Sequence, residues 1–384
     1  MAAVATLEAA PAVVPADPFA LLPPDAVVAV AMSGGVDSSV AAARCVAAGV
    51  ETLGITLAMW PGDREQVRDR GCCSVDAVED ARRVANRLGI RHLTWNLERE
   101  FSAEVVAGFE SDYAAGRTPN PCVRCNQRVK FGVLLSRARA IGATHVATGH
   151  YARIGWRGGS WTLHRAREAR KDQAYTLHRL DQAQLAAALF PLGGVERKSE
   201  VRAEAARLEL VTAAKPDSQE LCFVDGDLAA ELGRRLAGRF RPGPIRDQGG
   251  RVLGEHRGLP FYTVGQRTRL GIRPERPDAP ALYVLELDSA SNALVVGPPG
   301  ALRRTGLHAG DCRWVAGGPP QPGAGVEAQL RAHGLPLRAR VMAATGRSVE
   351  LRFDEPASQV SPGQAVVLFR GDEVIGGGVV ETAA

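Results

Sequence analysis

Ala31-Met32-Ser33-Gly34-Gly35-Val36-Asp37-Ser38-Ser39 follows the apolar run 26–30 and leads into the alanine-rich segment 40–48. An apolar strand, a two-glycine turn and a helix start in direct succession build a backbone cradle for an anion. Gly34 and Gly35 lack a Cβ, so the main chain can take positive φ and bring N–H groups close to a phosphate. The hydroxyls of Ser33, Ser38 and Ser39 add donors beside a helix N-terminus whose unpaired N–H groups already favour negative charge. No lysine follows the glycines, so this is not the loop of NTPases that transfer the γ-phosphate. The same pattern would also serve a ligand-free strand-turn-helix, and the surrounding strand and helix favour the phosphate reading.

Working outward, helices are expected over 36–48, 76–88, 102–115 and 127–141, with Gly49, Gly89 and Gly142 as stops. Strands are expected over 26–30, 52–57, 91–95 and 145–148, and a loop over 58–74. Residues 116–126, with two prolines, are expected to be extended. This alternation predicts a doubly wound α/β parallel sheet with ligands at the carboxyl ends of its strands. Past Tyr151 the alternation weakens, with helical stretches over 171–189 and 198–208. From about 223 onward Gly and Pro punctuate short β-rich runs over 282–287, 293–296, 326–330, 339–343, 348–353, 365–369 and 374–380. These predict two small β-barrel-like domains. The domain division is 1–25 as a disordered extension, 26–222, 223–302 and 303–384.

A chain of 384 residues with 45% hydrophobic and 23% charged content is an ordinary soluble protein with material for more than one core. No apolar run reaches the roughly 18 residues of a membrane span. The net charge of +5 says little about a polyanionic partner, because 43 of the 47 basic residues are arginine and only four are lysine, a bias that looks like codon usage. Seven cysteines, an odd number without a secretory signal, indicate a reducing, cytoplasmic setting and thiols used for chemistry or metal binding.

The second informative stretch is Gly116-Arg117-Thr118-Pro119-Asn120-Pro121-Cys122-Val123-Arg124-Cys125-Asn126. Its Cys-x-x-Cys lies near a helix start and arginines, where a thiol is more readily ionised. A redox pair, half a zinc site, part of an iron–sulfur site and two buried cysteines all remain open. A third cysteine, Cys222, follows the polar turn Lys215-Pro216-Asp217 and stands between Leu221 and Phe223, where a buried hydrophobe is the ordinary reading.

The opening loop resembles the PP-loop of ATP pyrophosphatases, which hold pyrophosphate as a leaving group. With 116–126, Ala147-Thr148-Gly149-His150-Tyr151, Lys171-Asp172-Gln173-Ala174-Tyr175, 217–223, Gly254-Glu255-His256-Arg257-Gly258 and Tyr262-Thr263-Val264-Gly265-Gln266-Arg267, the chain is similar to the tRNA-specific 2-thiouridylase family over about 26–381. The resemblance implies 2-thiolation of the wobble uridine of tRNA, with ATP consumed to adenylate the C2 oxygen and Mg²⁺ as cofactor. ATP would be bound by Ala31, Met32, Ser33, Gly34, Gly35, Val36, Asp37, Ser38, Leu57 and Gly149, with Asp37 ligating Mg²⁺ or fixing the loop. Cys222 would carry a persulfide and Cys125 would release its sulfur, supplied by a cysteine desulfurase or a persulfide carrier protein. The matching tRNA-contact positions are Asn120, Pro121, Cys122, His150, Lys171, Asp172, Gln173 and Gln364.

Two departures stand out. Many family members have Asp where this chain has Cys122, so Cys122, Cys125 and Cys222 could instead hold a [4Fe–4S] cluster with one open iron. Arg331-Ala332-His333 replaces a basic-aromatic-basic triplet. A PP-loop ligase that adds an amine is the alternative enzyme, and it leaves three cysteines without a task. A non-catalytic RNA-binding module is the other, and it leaves the opening loop without one.

Overall fold

The computed structural model describes residues 11–59, 75–217, 221–224, 226–272, 280–315, 317–358 and 360–384. Most of the loop expected over 58–74, with Cys72 and Cys73, lies outside the described residues, as do 1–10.

Five parallel strands form the first sheet in the order β3-β2-β1-β4-β7: β1 (Val27–Ala31), β2 (Glu51–Ala58), β3 (Arg91–Asn96), β4 (His145–Ala147) and β7 (Ala188–Leu189). The period-2 alternation of β1 explains why it is apolar throughout. Val28 and Val30 enter one core with Val40, Ala41 and Val84, while Ala29 enters the other with Ile55, Phe131 and Val146. Helices α1 (Val36–Ala47) and α2 (Val75–Leu88) cover the first face. The strand order reverses between β2 and β4 around β1, which places the crevice for a ligand at the carboxyl end of β1.

Three local expectations are corrected. Residues 121–124 are helical and run on to 140, because Pro121 sits at the first helical position, where its missing N–H costs nothing, and Asn120 caps that turn by accepting from the Cys122 amide at 3.1 Å. The backbone widens to a π-helical spacing over Cys125–Leu134. The stretch 171–189 is not one helix but two short ones, Ala174–Leu177 and Gln182–Ala186, before β7. Residues 11–25 are not a disordered extension: Val13 exchanges both backbone hydrogen bonds with Trp156 at 2.9 Å, and Phe19 and Leu22 pack on the sheet's core.

Trp156 belongs to a hairpin absent from the sequence reading, β5 (Ala152–Arg157) and β6 (Ser160–Arg165), turned at Gly158-Gly159 with both residues at positive φ. Next comes a four-stranded sheet in the order β10-β11-β8-β9, built from β8 (Gly243–Asp247), β9 (Val252–His256), β10 (Tyr283–Asp288) and β11 (Ala293–Gly297). Last is a closed six-stranded barrel of β12 (Arg304–Trp314), β13 (Gly325–Gln329), β14 (Leu337–Ala344), β15 (Val349–Ala357), β16 (Ala365–Arg370) and β17 (Glu373–Ala383), with β12 pairing both β15 and β17.

The barrel is joined firmly to the first domain. β17 pairs with β6 through Glu373 and His164, and Arg157 makes a two-pronged ion pair with the buried Glu373. His178 lies fully buried at this junction, its Nδ1–H donating to the Tyr175 carbonyl at 2.8 Å and its Nε2 without a partner. Burial pushes its pKa down to about 3, so it is neutral in the folded chain. Below the ordinary value near 6.5 the unfolded chain takes up a proton that the folded chain refuses. Stability is therefore full above that value and falls by about 1.4 kcal/mol per pH unit from this site as pH drops toward 3. Urea unfolding at pH 7 and pH 5 should show this loss, and His178→Gln should reduce the slope.

Candidate active site

The loop after β1 is held by its own side chains. The Met32 amide donates to the Ile55 carbonyl and Thr56 Oγ1 donates to the Met32 carbonyl, both at 2.8 Å, which ties the loop to β2. The Ser33 amide donates to Ser38 Oγ at 3.1 Å, and the hydroxyls of Ser38 and Ser39 both donate to the Gly35 carbonyl. Gly34 takes φ +69°, and a Cβ there would lie 2.2 Å from the Ala77 backbone oxygen. No side chain caps α1 at Gly35, so its first amides carry no capping group, as an anion site requires. Gly149, just past β4, packs so tightly on this turn that a Cβ would stand 2.8 Å from the backbone of Asp37 and Ser38. Its smallness thus serves the contact with the loop itself, beyond any approach to a nucleotide. Leu57 is buried on β2.

Asp37 fixes the loop. Tyr151 OH donates to its Oδ1 at 2.7 Å, and Lys198 Nζ reaches both carboxylate oxygens, Oδ2 at 2.5 Å. Lys198 also reaches Asp217 Oδ1 at 3.3 Å, and Asp217 takes Lys171 at 2.7 Å and Arg202 at 2.7 Å. Burial pushes the Asp217 carboxyl up, but the Lys171 and Lys198 ammoniums outweigh it and hold the group below its usual range. Burial and the Asp37 charge push the Tyr151 phenol far up, so it stays a donor.

The same chain of bonds runs to the cysteine helix. The Tyr151 amide donates to Gln173 Oε1 at 3.0 Å, Thr176 Oγ1 donates to the Gln173 carbonyl at 2.9 Å, and Asn126 Nδ2 donates to Thr176 at 3.1 Å. Asn126 follows Cys125, and Asp217 precedes Cys222 by five residues. One series of polar contacts therefore joins the phosphate loop to Asn126, beside Cys125, and to Asp217, five residues ahead of Cys222. Cys125 is buried in the core that Cys222, half-buried, packs against, and Cys122 is exposed. Phe223 anchors the second segment by edge-on contacts with Phe101 and Phe109.

Models described as the tRNA methyl transferase HUP domain, the tRNA methyl transferase PRC-barrel domain and the aminomethyltransferase beta-barrel domain match residues 26–226, 232–298 and 304–380. The tRNA-specific 2-thiouridylase of Heliobacterium modesticaldum is 47% identical over 358 residues, 92% of each chain. That of Moorella thermoacetica is 47% identical over 92% of this chain and 99% of its own, and that of Roseiflexus castenholzii is 45% identical over 91% and 97%. The chain belongs to the tRNA-specific 2-thiouridylase family.

Against that family's expected RNA contacts, this 2-thiouridylase sorts the residues into two groups. Asn120 and Gln364 line one cleft of about 830 Å³ with Arg331, His333 and Leu335, between the cysteine helix and the barrel. The turn at Gly363 makes this possible: it takes φ +90°, and a Cβ there would lie 2.8 Å from the Thr118 amide, which donates to the Pro362 carbonyl at 3.1 Å. Pro121 is buried at the start of the helix and Cys122 is exposed on it. The other group also bonds within the protein. His150 is buried, bonded through Nδ1 to Thr148 Oγ1 at 2.7 Å and set edge-on to Phe190, and burial holds its pKa well below the usual value. Asp172 accepts from the Ala166 amide at 2.8 Å and from Arg165 at 3.2 Å, with its side chain 6% exposed. Gln173 positions Tyr151. Lys171, Asp172 and Gln173 are half-buried, and the Lys171 side chain is 39% exposed where it meets Asp217.

Sequence reasoning missed Tyr151, Lys198 and Asp217 as site residues. A signal was available: the chain has only four lysines, Lys130, Lys171, Lys198 and Lys215. Three of them end on carboxylates here, Lys215 on Asp80 at 2.8 Å.

Neither expected inorganic group is matched by a ligand set. Among the described residues no three His, Cys, Asp or Glu side chains are grouped to hold a metal ion. Cys122 is exposed, Cys222 half-buried and Cys125 buried. The Asp37 carboxylate meets Lys198 and Tyr151. Among the described residues no helix is long and apolar enough to cross a membrane.

Proposed function

We propose that this enzyme is a transferase of tRNA modification that 2-thiolates the wobble uridine, using ATP to activate the base and cysteine sulfur to replace its oxygen. The observation that carries this reading is the series of polar contacts that links the phosphate loop to Asn126, beside Cys125, and to Asp217, five residues ahead of Cys222. A ligase needs the loop alone, and an RNA-binding module needs neither part. The methyl transferase wording of two matched domains leaves the cysteines without a task, whereas the thiouridylase relatives account for them.

In the first half-reaction the uridine C2 oxygen attacks the α-phosphorus of ATP and pyrophosphate leaves into the donors of the Ser33–Ser38 turn and the α1 N-terminus. AMP on C2 is then a good leaving group. In the second, the Cys125 thiolate attacks the inner sulfur of a Cys222 persulfide. The S–S bond to the outer sulfur breaks, a Cys125–Cys222 disulfide forms and hydrosulfide is released. Hydrosulfide adds to C2, AMP departs, and two equivalents of an external thiol return the disulfide to two thiols, themselves becoming a disulfide. The persulfide sulfur comes from a cysteine desulfurase or a carrier protein in a cytoplasmic setting. The base must leave its stack to reach these groups, and the cleft with Asn120, Arg331, His333 and Gln364 would take the flanking RNA.

The products test this directly. With tRNA, ATP·Mg²⁺ and a persulfide donor, the enzyme should release AMP and pyrophosphate rather than ADP and phosphate. It should do so equally well after iron is removed with thiols intact. Activity that follows iron content would overturn the persulfide half.

A further inference from the structure

We propose that Lys198 is the positioning residue that makes the phosphate loop acceptable to a polyanion, acting through Asp37. The inference rests on the ATP-using reaction above and assigns the loop's electrostatics to one side chain.

The loop contains a conflict. Asp37 lies in the first turn of α1, where its carboxylate favours the helix dipole and accepts the Tyr151 hydroxyl. The same carboxylate stands beside the amides that would receive pyrophosphate and repels it. Lys198 resolves this by neutralising Asp37 from a fixed position. It opens the helix Lys198–Arg207, whose Val201 and Ala205 are buried in the core shared with α1, and Glu204 of that helix binds Arg44 of α1 at 2.7 Å. The lysine side chain is only 13% exposed and lies 5.6 Å over the Tyr151 ring, so it is held in place before any ligand arrives.

The local charge count agrees. Lys171, Lys198 and Arg202 face Asp37 and Asp217, three cations to two carboxylates. With Lys198 the cluster is cationic, and without it the remaining charges cancel while Asp37 keeps only a neutral donor.

The test is equilibrium ATP binding, together with steady-state kinetics, on the full-length enzyme and on Lys198→Met, Lys198→Arg, Asp37→Asn and the Lys198→Met/Asp37→Asn double variant. Lys198→Met should weaken ATP binding by about tenfold or more, as expected for loss of one coupling between contacting charges. It should raise KM for ATP far more than it lowers kcat. Lys198→Arg should recover most of the affinity, which separates lost charge from lost fold. In the Asp37→Asn background, Lys198→Met should change affinity by less than about twofold, because the charge it neutralises is gone. Equal costs in both backgrounds, or unchanged affinity in Lys198→Met, would overturn the inference. A native enzyme that binds no ATP would instead overturn the proposed reaction, and this inference with it.

Discussion

Replacing Cys125 or Cys222 by serine is expected to lower 2-thiouridine formation by roughly a thousandfold or more, as removal of a nucleophile does. Release of pyrophosphate on mixing with ATP and tRNA should stay within a few-fold of native. The two half-reactions draw on different parts of the site, and serine keeps the size of the thiol while removing its ability to carry or attack sulfane sulfur. Cys125 is buried beside Val123 and Val129, so a hydroxyl there costs about 1–2 kcal/mol of stability and leaves the helix in place. Cys222 is half-buried beyond the Phe223 anchor, and its replacement should leave the melting temperature almost unchanged. Cys122→Ser should keep measurable thiolation, because the proposed transfer uses only Cys125 and Cys222. Quantifying 2-thiouridine and pyrophosphate on the same samples checks all three variants.

Gly34→Ala should remove ATP binding and destabilise the fold, whereas Gly35→Ala should be tolerated by the fold. The two neighbours look alike in sequence. Gly34 sits at φ +69° with its missing Cβ 2.2 Å from the Ala77 carbonyl oxygen in the first turn of α2, a backbone atom that cannot step aside. Gly35 takes φ −101°, with the nearest atom to a Cβ, the Ser33 hydroxyl, at 3.6 Å. A forced left-handed alanine costs about 1–2 kcal/mol and the backbone collision adds more, so a total of about 2–4 kcal/mol is expected at Gly34 and under about 1 kcal/mol at Gly35. Thermal unfolding of the two variants reads the difference, and ATP titration shows whether the cradle survives.

Much of this architecture can be read in the residues. Apolar runs alternating with helical periods specify the parallel sheet, and the Ser-Gly-Gly turn marks the switch point because tight turns at strand ends need glycine. Gly- and Pro-punctuated runs likewise mark β13 to β17, of which β14 and β15 carry an alternating buried face, while β12 is not among the expected runs. What sequence does not reveal is set by contacts between distant segments. Pro121 reads as a breaker, and only its place at the first helical position, with Asn120 as cap, makes it a starter. The β5–β6 hairpin is tied to the start of β17 through His164 and Glu373, more than 200 residues apart. His150, Asp172 and Gln173 are expected contact positions that also bond inward, to Thr148, the Ala166 amide and the Tyr151 amide, and no local pattern encodes those partners. Lys198 carries no motif of its own. Its role emerges where the helix 198–207 packs on α1 and directs the ammonium between Asp37 and Asp217.

The most direct test of the central claim is mass spectrometry of tRNA nucleosides after incubating the purified, iron-free enzyme with unmodified tRNA, ATP·Mg²⁺ and a persulfide donor. The account predicts 2-thiouridine at the wobble position, with one AMP and one pyrophosphate formed per thiolated base. Consumption of ATP with no 2-thiouridine, or 2-thiouridine formed without AMP, would contradict it.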